Sequence, residues 1–154
     1  MSIMEKNTIN RMNPVPEGYH SITPYMIIQN AGDAIEFYKK VFGATESMRI
    51  ADEDGKIRHA EIRIGGSPVM IVDEFQGSPY VRSPHALGGA SVHLYLYVED
   101  VDSLFQQAVA AGAQVLKPLK DNDDGDRRGG LTDPFGHVWW IAACINGDRL
   151  EELR

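Results

Sequence analysis

The stretch GGLTDPFGHVWWIA, Gly129 to Ala142, decides the fold. It reads as an extended segment, a tight turn at Asp133-Pro134-Phe135-Gly136, and a strand from His137. Proline fixes φ near the value that position i+1 of a type I turn needs, aspartate suits position i, and glycine suits position i+3. The residues that follow, VWWIAA, are strong β-formers. Upstream, HAEIRIGGSPVMIVD, His59 to Asp73, gives a weaker echo: strand, glycine turn, strand. A second echo sets the register. PYMII, Pro24 to Ile28, leads into a helical run that ends at Gly43-Ala44, and HLYLY, His93 to Tyr97, leads into one that ends at Gly112-Ala113. Asp33 and Asp102, Gly43 and Gly112, and Ala44 and Ala113 are each 69 positions apart. The chain therefore repeats one strand–helix–three-strand unit, and such self-similarity governs the fold.

Composition narrows the function classes. A chain of 154 residues makes one compact domain or two small halves sharing a core. At that size roughly 68–70% of the unfolded surface is buried, so no disulfide or metal is needed for folding. Cys144 is the single cysteine, which precludes an internal disulfide and favours a reducing compartment. The net charge of −7 speaks against nucleic acid and anionic membranes as partners. There is neither an apolar run of the ~20 residues a membrane span requires nor a signal-type leader. A soluble, cytoplasmic protein is expected.

In chain order, Met1 to Gly18 has no apolar period, carries Pro14 and Pro16, and reads as a flexible arm. A strand is expected over Ile22–Gln29. A helix, begun by Asn30 or Gly32, runs to Phe42, with Ala34, Ile35, Tyr38, Val41 and Phe42 at the spacing of one face and Gly43 as its stop. Short strands follow at Met48–Ala51, Ile57–Ile64 and Pro68–Asp73, with turns at Asp52–Gly55 and Gly65-Gly66. Residues 75–90, rich in glycine and proline, read as a linker; Phe75 and Tyr80 lie over a cavity or on a plain crossover. The second half repeats the plan: a strand over Ser91–Val98, a helix to Ala111 with acidic residues near its start, and strands at Val115–Leu119, Arg127–Thr132 and Val138–Ala143. Gly129-Gly130, like Gly65-Gly66, reads as a short turn. Residues 144–154 form a tail, with Asp148–Leu153 as a short closing helix.

Three stretches, ITPYMIIQNAGDAIEFYKKVFGA (Ile22–Ala44), HAEIRIGGSPVMIVDE (His59–Glu74) and TDPFGHVWWIA (Thr132–Ala142), resemble the vicinal oxygen chelate superfamily. That superfamily comprises glyoxalase I, bleomycin resistance proteins and extradiol dioxygenases; the chain looks most like its PhnB-like branch. The resemblance spans Ile22 to Ala143. It implies an α+β fold of two βαβββ modules, here residues 19–74 and 91–143, each a curled mixed sheet forming part of a cup with its helix outside. Ligands sit in the cup.

Alternation along each strand then sorts the residues of such a cup. Tyr25, Ile27, Ala60, Ile62, Ile64, Val69, Ile71, Leu94, Leu96, Trp139 and Ile141 are assigned to the helix side. Pro24, Met26, Ile28, His59, Glu61, Arg63, Met70, Val72, His93, Tyr95, Tyr97, Val138 and Trp140 fall on the cup side. A slip of one residue reverses a strand. From this wall, Met26, His59, Glu61, Met70, His93, Tyr95, Tyr97 and Trp140 are the candidate ligand-binding residues, apolar and aromatic surface with a few polar groups. The same aromatics also suit plain core.

Metal-dependent members of the superfamily hold a divalent ion by four cup residues, whose counterparts here are Pro24, Met70, His93 and Trp140. Only His93 is a ligand type: proline has no donor, methionine is a soft thioether and indole offers only an N–H. No metal and no cofactor are expected at those positions. His59 and Glu61 share a strand face and, together with His93, form an alternative ligand set. No nucleotide-binding or metalloprotease motif is present, and Ser83, His85 and Ser91 form no nucleophilic motif. Arg127-Arg128 beside Asp126 reads either as an anion site or as a solvated hairpin end. His20, His85 and His137 read as exposed or capped, and Cys144 as structural.

The leading reading is a PhnB-like cup protein that binds a small organic molecule without the usual metal and sequesters or senses it. The alternative is an enzyme of lyase or dioxygenase type, using His59, Glu61 and His93 around a metal or His93 as acid–base. A third is an assembly role with the cup filled by its own side chains. A homodimer is expected, since a half-open sheet leaves edges to cover. The linker is long enough for module exchange, ~17 extended residues reaching roughly 55–60 Å.

Overall fold

The computed structural model describes residues 13–146; the closing helix expected over Asp148–Leu153 lies outside them. The first module runs β1 (Tyr25–Ile28), α1 (Ala31–Phe42), β2 (Thr45–Ala51), β3 (Ile57–Ile64) and β4 (Ser67–Asp73). A single-turn helix, α2 (Pro84–Leu87), interrupts the linker. The second module runs β5 (Leu94–Tyr97), α3 (Val101–Ala110), β6 (Gln114–Asp121), β7 (Asp126–Thr132) and β8 (Val138–Cys144). Each makes a four-stranded mixed sheet in the same order, β1-β4-β3-β2 and β5-β8-β7-β6, the first and last strands of each module pairing in parallel. This is the α+β arrangement of two βαβββ modules, and neither sheet closes on itself.

Local chemistry explains the helix ends. Asn30 takes a left-handed φ of 66° and its side chain caps nothing. Asp73, at the end of β4, takes over that role: one carboxyl oxygen accepts the Ala31 N–H at 2.8 Å and the other accepts the Ile57 N–H at 2.7 Å. One side chain thus fixes the start of α1 and the start of β3. At the other end of α1, Gly43 turns left-handed at φ 68°, a backbone setting that glycine adopts without strain, and Ala44 bonds back to the Tyr38 carbonyl. In α3 the Asp100 side chain accepts the Ser103 N–H.

The core lies between the helices and one face of each sheet. Ile28, Ala60, Ile62 and Ile71 meet the buried face of α1, and Leu131, Trp139 and Ile141 meet α3. An aromatic cluster joins the modules: Phe42 stacks obliquely on Trp139 at 4.5 Å, Tyr38 lies 5.4 Å from the same indole, and Phe37 meets Phe135 edge-on at 6.1 Å. Such pairs contribute ~0.5–1.5 kcal/mol each beyond burial. The modules therefore pack through their helix sides.

The DPFG turn is the anchor of that junction. The Gly136 N–H bonds the Asp133 carbonyl at 3.1 Å and Gly136 has a φ of 90°. The Asp133 side chain is buried and fully used. Oδ1 accepts the backbone N–H groups of Phe135 and His137, and Oδ2 accepts the Tyr38 hydroxyl at 2.5 Å and the Trp139 indole N–H at 2.8 Å. Burial first, then the neighbouring Asp133, pushes the Tyr38 phenol well above its ordinary pKa, so it stays a donor.

Two sequence expectations are corrected here. Gly129 and Gly130 are not a turn; they lie in the middle of β7, where a glycine permits close approach of a neighbouring side chain. The faces of β1 are reversed. Its parallel register sets Tyr25 beside Met70 and Met26 beside Ile71. Met26 and Ile28 therefore face the helix and are buried, whereas Tyr25 and Ile27 belong to the cup side. Every residue of YMII has apolar surface, so alternation alone could not choose the inward face.

Candidate functional site

Strand pairing sorts the remaining cup-side residues as the alternation predicts. In the second module Tyr95 sits beside Trp140, Tyr97 beside Ala142, and Trp140 opposite Gly130. Tyr95, Tyr97 and Trp140 share one face, away from α3. Trp140 lies over Gly130, with so little room that a Cβ there would come within 2.6 Å of the indole.

The polar groups of this face form an ordered set. The Tyr95 and Tyr97 hydroxyls both donate to Oδ2 of Asp126, at 2.6 and 2.7 Å. Asp126 is wholly buried beneath them. Burial, and next the bond to Asp126, holds the Tyr95 phenol above its usual pKa. Arg128 donates to Asp124 at 2.6 Å and reaches the Tyr95 hydroxyl at 3.4 Å; that bond from Arg128 lowers the Asp124 pKa. Trp140 donates its indole N–H to Nδ1 of His93 at 3.0 Å. Because indole can only donate, Nδ1 of His93 carries no proton in this arrangement, and the ring presents Nε2–H instead. Held this way, His93 turns a hydrogen-bond donor toward whatever lies beside it.

Tyr95, Lys117, Pro118, Lys120, Asn122, Asp124, Arg128 and Trp140 line a cleft of about 480 Å³ on this face. The sequence reading missed Lys117, Lys120, Asn122 and Asp124, and met Asp126 only as a neighbour of Arg127-Arg128. It gave β6 no place in the cup wall, although the 69-residue repeat relates Lys117 to Met48. Met48 lies opposite Glu61 as Lys117 lies opposite Gly130. Arg127, read with Arg128 as one basic pair, turns to the other face and pairs with Asp102 and Asp121.

On the first module's open face, His59 and Glu61 meet at 2.8 Å, Tyr25 lies 6.2 Å from the His59 ring, and Met70 sits opposite Glu61. Arg63 bonds the Gly18 carbonyl and lies under the Tyr19 ring. The set His59, Glu61 and His93 is not gathered within one chain: His93 is engaged by Trp140. Among the described residues no group of three His, Cys, Asp or Glu side chains stands together as a metal set. Of the four positions Pro24, Met70, His93 and Trp140, Pro24 alternates with Met26 onto the helix side and so leaves the cup wall, and Nδ1 of His93 already accepts the Trp140 indole N–H.

Two further histidines bond backbone carbonyls. His85 meets the Pro134 carbonyl at 3.0 Å and His137 meets the Ile27 carbonyl at 3.3 Å. Burial lowers the His137 pKa. Ser83 caps α2 through its hydroxyl, and exposed Cys144 donates to the Asn146 carbonyl. No helix among the described residues is long and apolar enough to cross a membrane.

The model of the Glyoxalase/Bleomycin resistance protein/Dioxygenase superfamily matches residues 19–141. The chain belongs to this superfamily. An uncharacterized protein of Mycobacterium tuberculosis strain H37Rv is 39% identical over 136 residues, covering 87% of this chain and 80% of that protein. Among solved structures, TioX from Micromonospora sp. ML1 aligns with a TM-score of 0.62 at 31% identity, over 80% of this chain and 95% of that one. The PhnB protein from Bacillus cereus shares the fold, with a TM-score of 0.65 at 21% identity over 80% and 99% of the two chains.

Proposed function

We propose that this superfamily member binds a small, flat organic molecule against Trp140 and Tyr95, and that it does so without the family's metal, sequestering or sensing the ligand. The observation that carries this reading is the open cleft of about 480 Å³. Its wall combines an indole, a phenol and fixed polar groups, the usual makeup of a small-molecule pocket. Tyr97 supports Tyr95 through Asp126, and His93 holds the indole and offers Nε2–H. The alternative of His93 as an acid–base catalyst is disfavoured, because its Nδ1 is already engaged by the Trp140 indole.

The test is a titration of the protein with naphthalene-type ligands, followed by tryptophan emission. Quenching that saturates and that falls at least about fivefold in affinity in Trp140→Phe is expected, because an aromatic anchor usually dominates such sites. Added Mn²⁺, Ni²⁺ or Zn²⁺ should leave the affinity unchanged. Binding that appears only with metal and disappears in His59→Ala would instead favour the enzyme reading.

We also propose a homodimer in which each cup joins the first module of one chain to the second module of its partner. Support comes from the packing. The modules of one chain meet through α1, the DPFG turn and Trp139, while Tyr25, Tyr95 and Tyr97 on the open faces remain roughly half exposed, at 55%, 44% and 47%. Exchange would bring His59, Glu61 and Met70 toward His93 and Trp140. Sedimentation equilibrium at micromolar concentration should give twice the 17.1 kDa chain mass; a stable monomer would sink the dimer.

A further inference from the structure

We infer that the ligand of this cleft carries an anionic oxygen group, a carboxylate, sulfonate or phosphate, beside its flat ring, and that Lys117 and Lys120 hold that anion. The inference rests on the proposed ligand cleft. Residues three apart in a regular strand point to opposite faces. Between Lys117 and Lys120, however, β6 slips by one residue: Lys117 lies opposite Gly130 and Lys120 opposite Arg128. Gly130 and Arg128 are two apart and share the face of Trp140, so the slip brings both lysines onto that face. Pro118, which has no N–H to lose from the ladder, sits within the irregular stretch. Bulges of this kind re-aim side chains and are frequent beside binding sites.

The charges around the two lysines leave them unmatched. Asp124 is taken by Arg128 at 2.6 Å, and Asp121 pairs with Arg127 on the opposite face. Asp126 is buried beneath the hydroxyls of Tyr95 and Tyr97. Among the described residues no ion pair engages Lys117 or Lys120. Three cations and a single carboxylate therefore line the cleft, on a chain whose net charge is −7. A concave wall of one sign concentrates ligands of the other. Beside these cations stand the Trp140 ring and the Asn122 amide, so the same wall accepts a ring and its acidic group together.

Calorimetric titration with naphthoate and with naphthamide separates the possibilities. At low salt naphthoate should bind about tenfold more tightly, the effect of two partly exposed charge contacts. The advantage should shrink toward twofold as ionic strength rises to ~0.5 M. It should vanish in Lys117→Met/Lys120→Met, where acid and amide should bind equally. Equal binding of acid and amide, or a preference that survives the lysine changes, overturns the anion assignment and leaves the ligand cleft standing. Failure of both compounds to bind overturns the cleft reading and this inference with it.

Discussion

Asp133→Ala is expected to lower the unfolding free energy by about 4 kcal/mol, measured by urea denaturation. The loss is large because one buried side chain serves four donors from three places. Two are backbone N–H groups of its own turn, one is the Tyr38 hydroxyl from α1, and one is the Trp139 indole from β8. Removing the carboxyl leaves the Tyr38 O–H and the Trp139 N–H buried without a partner, at a cost of ~1–3 kcal/mol apiece. It also releases the turn that sets the direction of β8. Tyr38→Phe removes one donor and strands nothing polar except part of the carboxyl, so its cost should be only ~1–1.5 kcal/mol. A loss below about 1 kcal/mol in Asp133→Ala would mean that the aromatic cluster alone, not this carboxyl, holds the modules together.

That junction was partly legible in the sequence. Pro134 and Gly136 have fixed conformational demands, so the turn could be read directly, and Gly43 and Gly112 marked two helix ends in matching places. The 69-residue repeat then implied two copies of one module. What Asp133 bonds could not be read, because Tyr38 lies 95 positions away and only the packing of one module on the other brings them together. The candidate site was legible where strands alternate sharply. β3 carries charged or polar residues at every second position, and His59, Glu61 and Arg63 were assigned correctly to one face. β1 has no such contrast, and Met26 was assigned to the wrong face. Lys117 and Lys120 were invisible for a different reason: the slip in β6 breaks the two-residue period on which any such assignment depends. Asp126 read only as the acidic neighbour of Arg127-Arg128. Its burial beneath two tyrosines follows from the pairing of β5, β8 and β7, which its own neighbours do not encode.

The adjacent glycines of β7 should separate stability from binding. A Cβ at Gly130 would stand 2.6 Å from Cζ3 of Trp140 and 2.9 Å from Cε3. The obstructing atoms are the outer edge of a partly exposed ring, which can swing away. Gly130→Val should therefore fold normally, since valine suits a strand. The displaced indole would give up its bond to His93 and its position on the cleft wall, and naphthoate affinity should fall by more than about tenfold, the scale of losing an aromatic anchor. Gly129 faces the other way. A Cβ there would meet Cε2 of Phe105 at 2.6 Å and the Lys117 carbonyl at 3.0 Å, a core ring and a backbone atom of the paired strand. Neither has free space to move into, so Gly129→Val should cost ~1–3 kcal/mol of stability by overpacking. Thermal unfolding and ligand titration of the two variants, run side by side, give the comparison. Wild-type binding by a folded Gly130→Val protein would remove Trp140 from the site.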